Sequence, residues 1–331
     1  MKNLPENLTL LWNFKADDAI KASPVVCNGV IVVGSVDGYV YGISMKGGLL
    51  WKIDTGNGIE APALIADNTA YIGNLNGTLY AIELKTGNVK WTYEAENQFM
   101  GSPNIFKVGN KATLVMGSYD YYLHGVNAAD GKGLWKYEAD NYINGAPAIY
   151  QGQVIFGGCD GLLHLVDARS GQAVVRIDLA TYVASSAAVL DDLAFVGDYD
   201  GRFSCIDIVK REILWQFENK DANLPFIGSP SVYKDKVFIG NRDKFVYCLN
   251  KRGGELVWKY NTGGRVDASP VVCGGEVLVA NMRGDIMLLD ANNGRVAWSY
   301  ELGTPVTGNP AVIEGHVIVG ADDGRVYCFG K

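Results

Sequence analysis

A tryptophan standing four residues past a glycine turn returns along this chain at nearly constant intervals. AIELKTGNVKW ends at Trp91 after a turn at Thr86-Gly87, SMKGGLLW at Trp51, NAADGKGLW at Trp135, NKRGGELVW at Trp258 and DANNGRVAW at Trp298. IVKREILW ends at Trp215 with Arg211 in the glycine place, and DARSGQAVV keeps Gly171 but has Val175 in the tryptophan place. With Trp12 added, the steps are 39, 40, 44, 40, 40, 43 and 40 residues. A fixed period of this length marks a repeat architecture, in which each unit buries its apolar face only against its neighbours.

Each unit parses into four short strands. In the first they are SPVVC from Ser23, VIVVGS from Val30, YVYGI from Tyr39 and LLWKI from Leu49, here called A to D. Asn28-Gly29 and Asp37-Gly38 separate the first three, and such pairs between β-branched runs signal tight hairpins because both central residues adopt positive φ. Strand A opens on a small residue and proline at Pro24, Pro62, Pro103, Pro147, Pro230, Pro270 and Pro310, with Ala187 in the fifth unit. Proline fits the first residue of a strand, where no ladder donor is yet needed. Four-stranded meanders at this period, with no helical segment between them, predict an all-β fold, an eight-bladed β-propeller of four-stranded antiparallel blades.

The blades fall at about 22–55, 61–94, 102–138, 146–178, 186–218, 229–261, 269–301 and 309–331. The last has only three strands, and LTLLWNFK from Leu8 is an orphan D strand carrying Trp12. Pairing that segment, about 8–16, with Arg325 to Phe329 closes the ring within a single domain and leaves no open sheet edge. Trp12, Trp51, Trp91, Trp135, Trp215, Trp258 and Trp298 all occupy the repeat position, which predicts that each ring docks across to the adjoining blade. A ring buried there contributes roughly 2–3 kcal/mol, so Val175 marks the weak joint. Extra residues in Phe106 to Thr113 predict a longer AB turn in blade 3, and those in Asn219 to Phe226 a longer loop into blade 6.

The net charge of −7 disfavours nucleic acid as a partner, since an acidic surface repels phosphates. No apolar run reaches membrane-spanning length. Cys205, Cys248 and Cys328 share one slot that holds Gly42, Ala81 and Gly125 elsewhere, which predicts small packed thiols. Unpaired thiols and an N-terminal segment without a signal-like apolar stretch favour a cytoplasmic location, with the periplasm or exterior as the alternative if a signal has been removed. A monomer is expected.

The turn-plus-tryptophan phrase, the small-Pro strand opening and the eightfold count resemble the tryptophan-docking repeats of quinoprotein-like (PQQ-like) propellers. That family includes PQQ-dependent alcohol dehydrogenases and the noncatalytic PQQ-like lipoprotein of the outer-membrane β-barrel assembly machine. The resemblance covers nearly the whole chain and implies the fold rather than an activity. The dehydrogenases hold PQQ between a channel tryptophan and a ring of adjacent cysteines, beside calcium. Here no tryptophan is spare and no two cysteines adjoin, so neither PQQ nor calcium is expected, and no metal.

Function is expected on the face formed by the loops joining strand D to the next strand A (DA loops) and by the BC turns. Three residues before each strand-A proline stand Lys21, Ile59, Met100, Asn144, Ala184, Ile227, Asp267 and Thr307, and the next position is small everywhere except at Glu60. Lys21 and Glu60 read as a rim ion pair, or, with Asn144, Asp267 and nearby Arg265, as a polar ligand site. An aromatic crescent of Phe99, Tyr119, Tyr121, Tyr142, Tyr182, Tyr199 and Phe226 lies on the same face, with Arg242 and Arg283 as its charged half. Phe99 and Phe226 are expected to pack under the loops. His124 and His164 replace a tyrosine of strand C and read as structural substitutes. The leading expectation is a noncatalytic scaffold that binds a protein or peptide on this face. The alternative is a small-molecule site, with or without catalysis, in the central funnel.

Overall fold

The computed structural model describes residues 4, 5, 7–183 and 185–331. Among them every regular element is a strand, arranged as eight separate four-stranded antiparallel sheets. In blade 1, strands A to D are Val25–Cys27, Val30–Gly34, Tyr39–Ser44 and Leu49–Asp54. Burial follows position in the blade. Strand B is buried throughout, strand C through its middle, and the perimeter strand D alternates as one face turns to solvent. The A strands of successive blades lie side by side around the axis.

Blade 8 joins the two ends of the chain. Its A, B and C strands are Ala311–Ile313, His316–Gly320 and Arg325–Gly330, and its D strand is Thr9–Lys15. Trp12 lies opposite Cys328, Asn13 opposite Tyr327 and Phe14 opposite Val326. The ring is closed by hydrogen bonds between residues from opposite ends of the sequence, as the orphan segment predicted.

The tryptophans dock between blades. Six of the indoles lie over the CD turn of the following blade, while Trp298 meets Leu8 at the start of the strand that closes blade 8, and a Cβ added to the turn glycine would sit 2.7 Å from Trp12 at Gly47, 2.8 Å from Trp51 at Gly87 and 2.5 Å from Trp91 at Gly131. These glycines also have positive φ, 81°, 77° and 74°, so the position excludes side chains on two counts. Six indole N–H groups donate to a main-chain carbonyl, for example Trp51 to Leu84 and Trp298 to Leu8, both at 2.9 Å. The Trp135 Nε1 has no partner among the described residues. Between blades 4 and 5 both halves of the device are missing. Val175 stands in the indole's place, and Arg211 keeps the turn's positive φ, 65°, without being glycine. The two irregularities in the repeat are therefore one change at one joint.

Several expectations need correction. The slot opposite the tryptophan is not always small, because Leu288 pairs with Trp298 and Leu165 with Val175. The proline precedes strand A rather than opening it. It is the adjacent residue in six blades, whereas Pro62 stands two before Leu64, so blade 2 is shifted by one residue against the others. The extra residues of blade 3 lengthen strands A and B, Asn104–Val108 and Lys111–Gly117, instead of the turn between them.

The Asp-Gly turns take part in a second repeated contact. Asp37 accepts from the Tyr39 N–H at 2.9 Å and the Tyr41 hydroxyl at 2.7 Å, and Asp323 accepts likewise from Arg325 and Tyr327. In blades 3 and 4 a histidine makes that contact. His124 Nε2 lies 3.0 Å from Asp120 and His164 Nε2 2.9 Å from Asp160, with their Nδ1 atoms on the hydroxyls of Tyr93 and Tyr137. Both rings are fully buried, in the tyrosine-substitute role expected. Burial alone would raise the Asp120 and Asp160 carboxyls, but the histidine hydrogen bonds and charge outweigh it and hold both below the usual value.

Candidate functional site

The DA loops and BC turns share one face, because each BC turn is tied to the loop beside it by a backbone hydrogen bond. Tyr119 donates to Gln98, Cys159 to Tyr142, Tyr199 to Tyr182, Arg242 to Pro225, Met282 to Arg265 and Asp322 to Pro305, at 2.9–3.3 Å. Inside this ring, Ile20, Ile59, Phe99, Ile143, Val183, Phe226, Val266 and Val306 are buried under the loops. Except after Val183, whose successor Ala184 lies outside the described residues, the residue after each of these faces the funnel.

That register removes the anomaly assigned to Glu60. Ile59 belongs to the buried ring and Glu60 to the funnel-facing ring, level with Lys21, Met100, Asn144, Ile227, Asp267 and Thr307. Ala184, assigned to the same ring, lies outside the described residues. The funnel mouth is therefore lined by Met100 and Ile227 but not by Ile59.

Lys21 Nζ meets Glu60 Oε1 at 2.8 Å across the joint of blades 1 and 2. The hydrogen bond to Glu60 raises the Lys21 pKa against the opposing effect of partial burial, and Asp322 and Asp18 add to it. Asp322 adjoins Asp323 in the BC turn of blade 8. It is Asp323 that serves the turn, while Asp322 accepts from the Thr307 hydroxyl at 3.1 Å and faces Lys21 and Glu60. Burial raises the Asp322 carboxyl, with Thr307 and Lys21 opposing. At the joint of blades 6 and 7, Arg242 grips Asp267 through two parallel bonds, Nε–Oδ1 at 3.0 Å and Nη2–Oδ2 at 2.9 Å. Asp267 is thus committed to Arg242 and does not form one cluster with Lys21, Glu60 and Asn144. Arg265 is exposed, and exposed Arg283 lies 3.7 Å from Asp285.

Blades 3 to 5 carry the aromatic arc. Tyr119 stacks on Tyr142 with centroids 4.5 Å apart, and Tyr121 leans on Tyr142 at 5.2 Å. Tyr142 is 39%, Tyr199 42% and Tyr182 56% exposed, so the arc presents rings to solvent. Phe99 and Phe226 are at most 1% exposed and belong to the core below it. Burial pushes the Tyr119 hydroxyl up to about 12, with Cys159, Tyr199, Tyr142 and Glu60 adding to the shift. Cys159 completes the arc in a place the sequence reading passed over. It fills the BC slot of Tyr119 and Tyr199, and aligning the eight BC turns by their Gly/Asn/Asp pairs would have exposed it. Asn144 Nδ2 donates to its sulfur at 3.2 Å, whereas Asn144 Oδ1 is buried without a partner among the described residues. Burial raises the Cys159 thiol, assisted by Asp160, so it stays protonated at neutral pH.

Below the mouth lies a funnel of about 400 Å³ lined by Met100, Asn144, Ile227, Asp267 and the inner strands. Its wall is a hydrogen-bonded belt. The N–H groups of Ala146, Ser186, Ser229, Ser269 and Asn309 donate in turn to the side chains of Ser186, Ser229, Ser269, Asn309 and Ser23 in the next blade, at 2.7–3.1 Å. The belt is interrupted at blade 2, where Pro62 has no side-chain oxygen to accept and no N–H to donate, and at blade 4, where Ala146 has no side-chain acceptor. Among the described residues no group of three or more His, Cys, Asp or Glu is placed to hold a metal, and no helix is long and apolar enough to cross a membrane.

The chain is similar in structure to BamB from Moraxella catarrhalis, with a TM-score of 0.80 at 20% identity over 98% of each chain. The computationally designed Ika8 protein superposes at 0.83 and 17% identity, over 97% of this chain and 99% of that one. Quinohemoprotein alcohol dehydrogenase ADHIIG from Pseudomonas putida HK5 superposes at 0.80 and 13% identity, over 100% of this chain and 78% of the enzyme. At these identities the likeness is one of fold. No match was found among curated protein sequences. A family model matches residues 6–140, 119–260 and 242–330, and the chain thereby belongs to the PQQ-like propeller family described as outer membrane protein assembly factor BamB.

Proposed function

We propose that this propeller is a noncatalytic scaffold that binds a protein or peptide on the face of its DA loops and BC turns. The observation that carries the reading is the exposure of Tyr121, Tyr142, Tyr182 and Tyr199 along one arc, flanked by the Arg242–Asp267 pair. Tyrosine presents a large apolar body with a polar tip at little entropic cost, which suits it to a recognition surface. The charged groups beside it are already paired, so they orient a partner rather than act as an acid or base. The residues do not suit PQQ held as in the dehydrogenases. All seven tryptophans are docked between blades, and no two of the six cysteines adjoin in sequence. Fold membership is consistent with a protein partner and names none.

The test is Tyr182→Ser with Tyr199→Ser, compared with wild type in pull-downs against candidate partners. These rings are exposed, so the variant should keep its melting temperature and lose its partner. A partner retained by the folded variant would remove the face from consideration. Tyr119 and Arg242 are poorer probes, since Tyr119 is half-buried in a stack and Arg242 neutralises Asp267.

A second reading is favoured by one feature, the Asn144 Oδ1, without a partner among the described residues, at the head of a 400 Å³ polar funnel. A small polar molecule bound there would raise the melting temperature of wild type but not of Asn144→Ala. No shift in a screen of sugars, quinones and metabolites would dismiss it.

A further inference from the structure

Beyond the loop face, the structure holds a docking place that seven sister joints define by example. At every other joint an indole from strand D fills the space beside the next blade, over its CD turn at six of them, and at six of the seven its N–H reaches a carbonyl. At the joint of blades 4 and 5 the indole is absent. A cleft of about 190 Å³ remains, lined by Tyr150, Leu165, Val175, Ile208, Val209 and Arg211. The Ile208 carbonyl is level with Leu84, Ala128 and Ala291, which receive the indole N–H groups of Trp51, Trp91 and Trp258, and it accepts no hydrogen bond among the described residues. Val209 on the lip is 66% exposed, the highest value among the exposed large hydrophobic residues.

Charge around the cleft selects the occupant. The acidic groups on its rim are engaged, Asp191 by Lys251 at 2.7 Å and Asp192 by Tyr150 and Gln151 at 3.0 and 3.2 Å. Arg211 and Arg252 have no ion-pair partner among the described residues, and both are exposed. An adjoining hollow of about 470 Å³, lined by Leu193, Val209, Leu214 and Arg252, gives room for chain on either side of an inserted ring. We propose that this joint binds a partner segment in which a tryptophan is flanked by carboxylates. The ring takes the vacant indole place, its N–H reaches Ile208, and the carboxylates meet Arg211 and Arg252. This site lies on the side of the AB and CD turns, opposite the tyrosine arc, and stands independently of it.

The experiment titrates the isotope-labelled full chain with the blocked peptide acetyl-Glu-Trp-Glu-amide and follows its amide resonances by NMR. Saturable shifts are expected at Ile208, Val209 and Arg211, and acetyl-Glu-Ala-Glu-amide should leave them in place. The variant Val175→Trp with Arg211→Gly fills the cleft from within and should abolish the response. Should that variant fail to fold, Arg211→Glu carries the test. It should weaken the acidic peptide about fivefold and favour acetyl-Lys-Trp-Lys-amide instead. No saturable shift at millimolar peptide, equal shifts from the alanine peptide, or an Arg211→Glu variant indifferent to peptide charge would overturn the proposal.

Discussion

Restoring the missing joint should stabilise the ring, but only if both halves are restored together. Val175→Trp alone places an indole against Arg211, and at the intact joints a Cβ on the turn residue would lie only 2.5–2.8 Å from the ring. That distance is below any normal contact, so the single variant should gain nothing or lose about 1–2 kcal/mol through overpacking. Arg211→Gly alone removes a non-glycine residue from positive φ, worth about 1 kcal/mol, and raises the unfolded chain's entropy by a similar amount, so it should be nearly neutral. Together the changes let the indole settle. Replacing valine by tryptophan buries roughly 100 Å² more apolar surface, about 2.5 kcal/mol at 25 cal/mol per Å². A hydrogen bond to the Ile208 carbonyl adds about 1 kcal/mol. Leu165 across the strand is no obstacle in principle, since Leu288 accommodates Trp298 in the same relation. The double variant should gain about 3 kcal/mol, with a coupling energy above about 2 kcal/mol in the double-mutant cycle measured by urea unfolding. Additive singles, or a double variant no more stable than wild type, would refute the reasoning that glycine and tryptophan act as one unit.

Other consequences are simpler to state. Gly131→Ala puts a methyl 2.5 Å from Trp91 at positive φ and should destabilise by about 2–3 kcal/mol, read as a lower urea midpoint. Removal of residues 1–15 strips strand D from blade 8 and exposes Arg325–Gly330 as an open edge, so thermal stability should fall and aggregation rise. Asp120 and Asp160 have depressed pKa values, so their stabilisation is present above the ordinary carboxylate value of 3.8 and is lost as pH falls through the lower folded value. Stability measured from pH 6 to pH 2 should accordingly decline less steeply in Asp160→Asn than in wild type, from a lower starting point; parallel profiles would remove that attribution.

The repeat made most of the fold legible before any coordinates. A tryptophan and a turn glycine that recur together at steps of 39 to 44 residues fix blade number, strand order and joint chemistry, and the lone strand around Trp12 fixes the closure. The errors came where the repeat slips by one residue. Pro62 looks like the other strand-opening prolines, and aligning on it moved Ile59 into the funnel and made Glu60 appear exceptional. Alignment on the buried apolar residue before the funnel position, Ile20, Ile59 or Phe99, would have avoided this, because packing under the loops fixes register more firmly than a proline outside the strand. The Lys21–Glu60 pair was legible, since both are long side chains on adjacent blades. The Arg242–Asp267 clasp was not, because its members occupy different repeat positions, a BC turn and a DA loop, so no shared slot pairs them in the sequence. Cys159 and Asp322 were hidden for a different reason. Each adjoins a turn aspartate whose local role accounts for the neighbourhood, and only the closed ring reveals that both face inward.

The most direct measurement of the central claim, recognition through the tyrosine arc, is site-specific photocrosslinking in the native host. A benzoylphenylalanine placed at Tyr182 or Tyr199 should yield one discrete protein adduct, while the same group at exposed Val89 on the perimeter of blade 2 should yield none. Adducts of equal yield at all three positions, or none at Tyr182 and Tyr199, would contradict it.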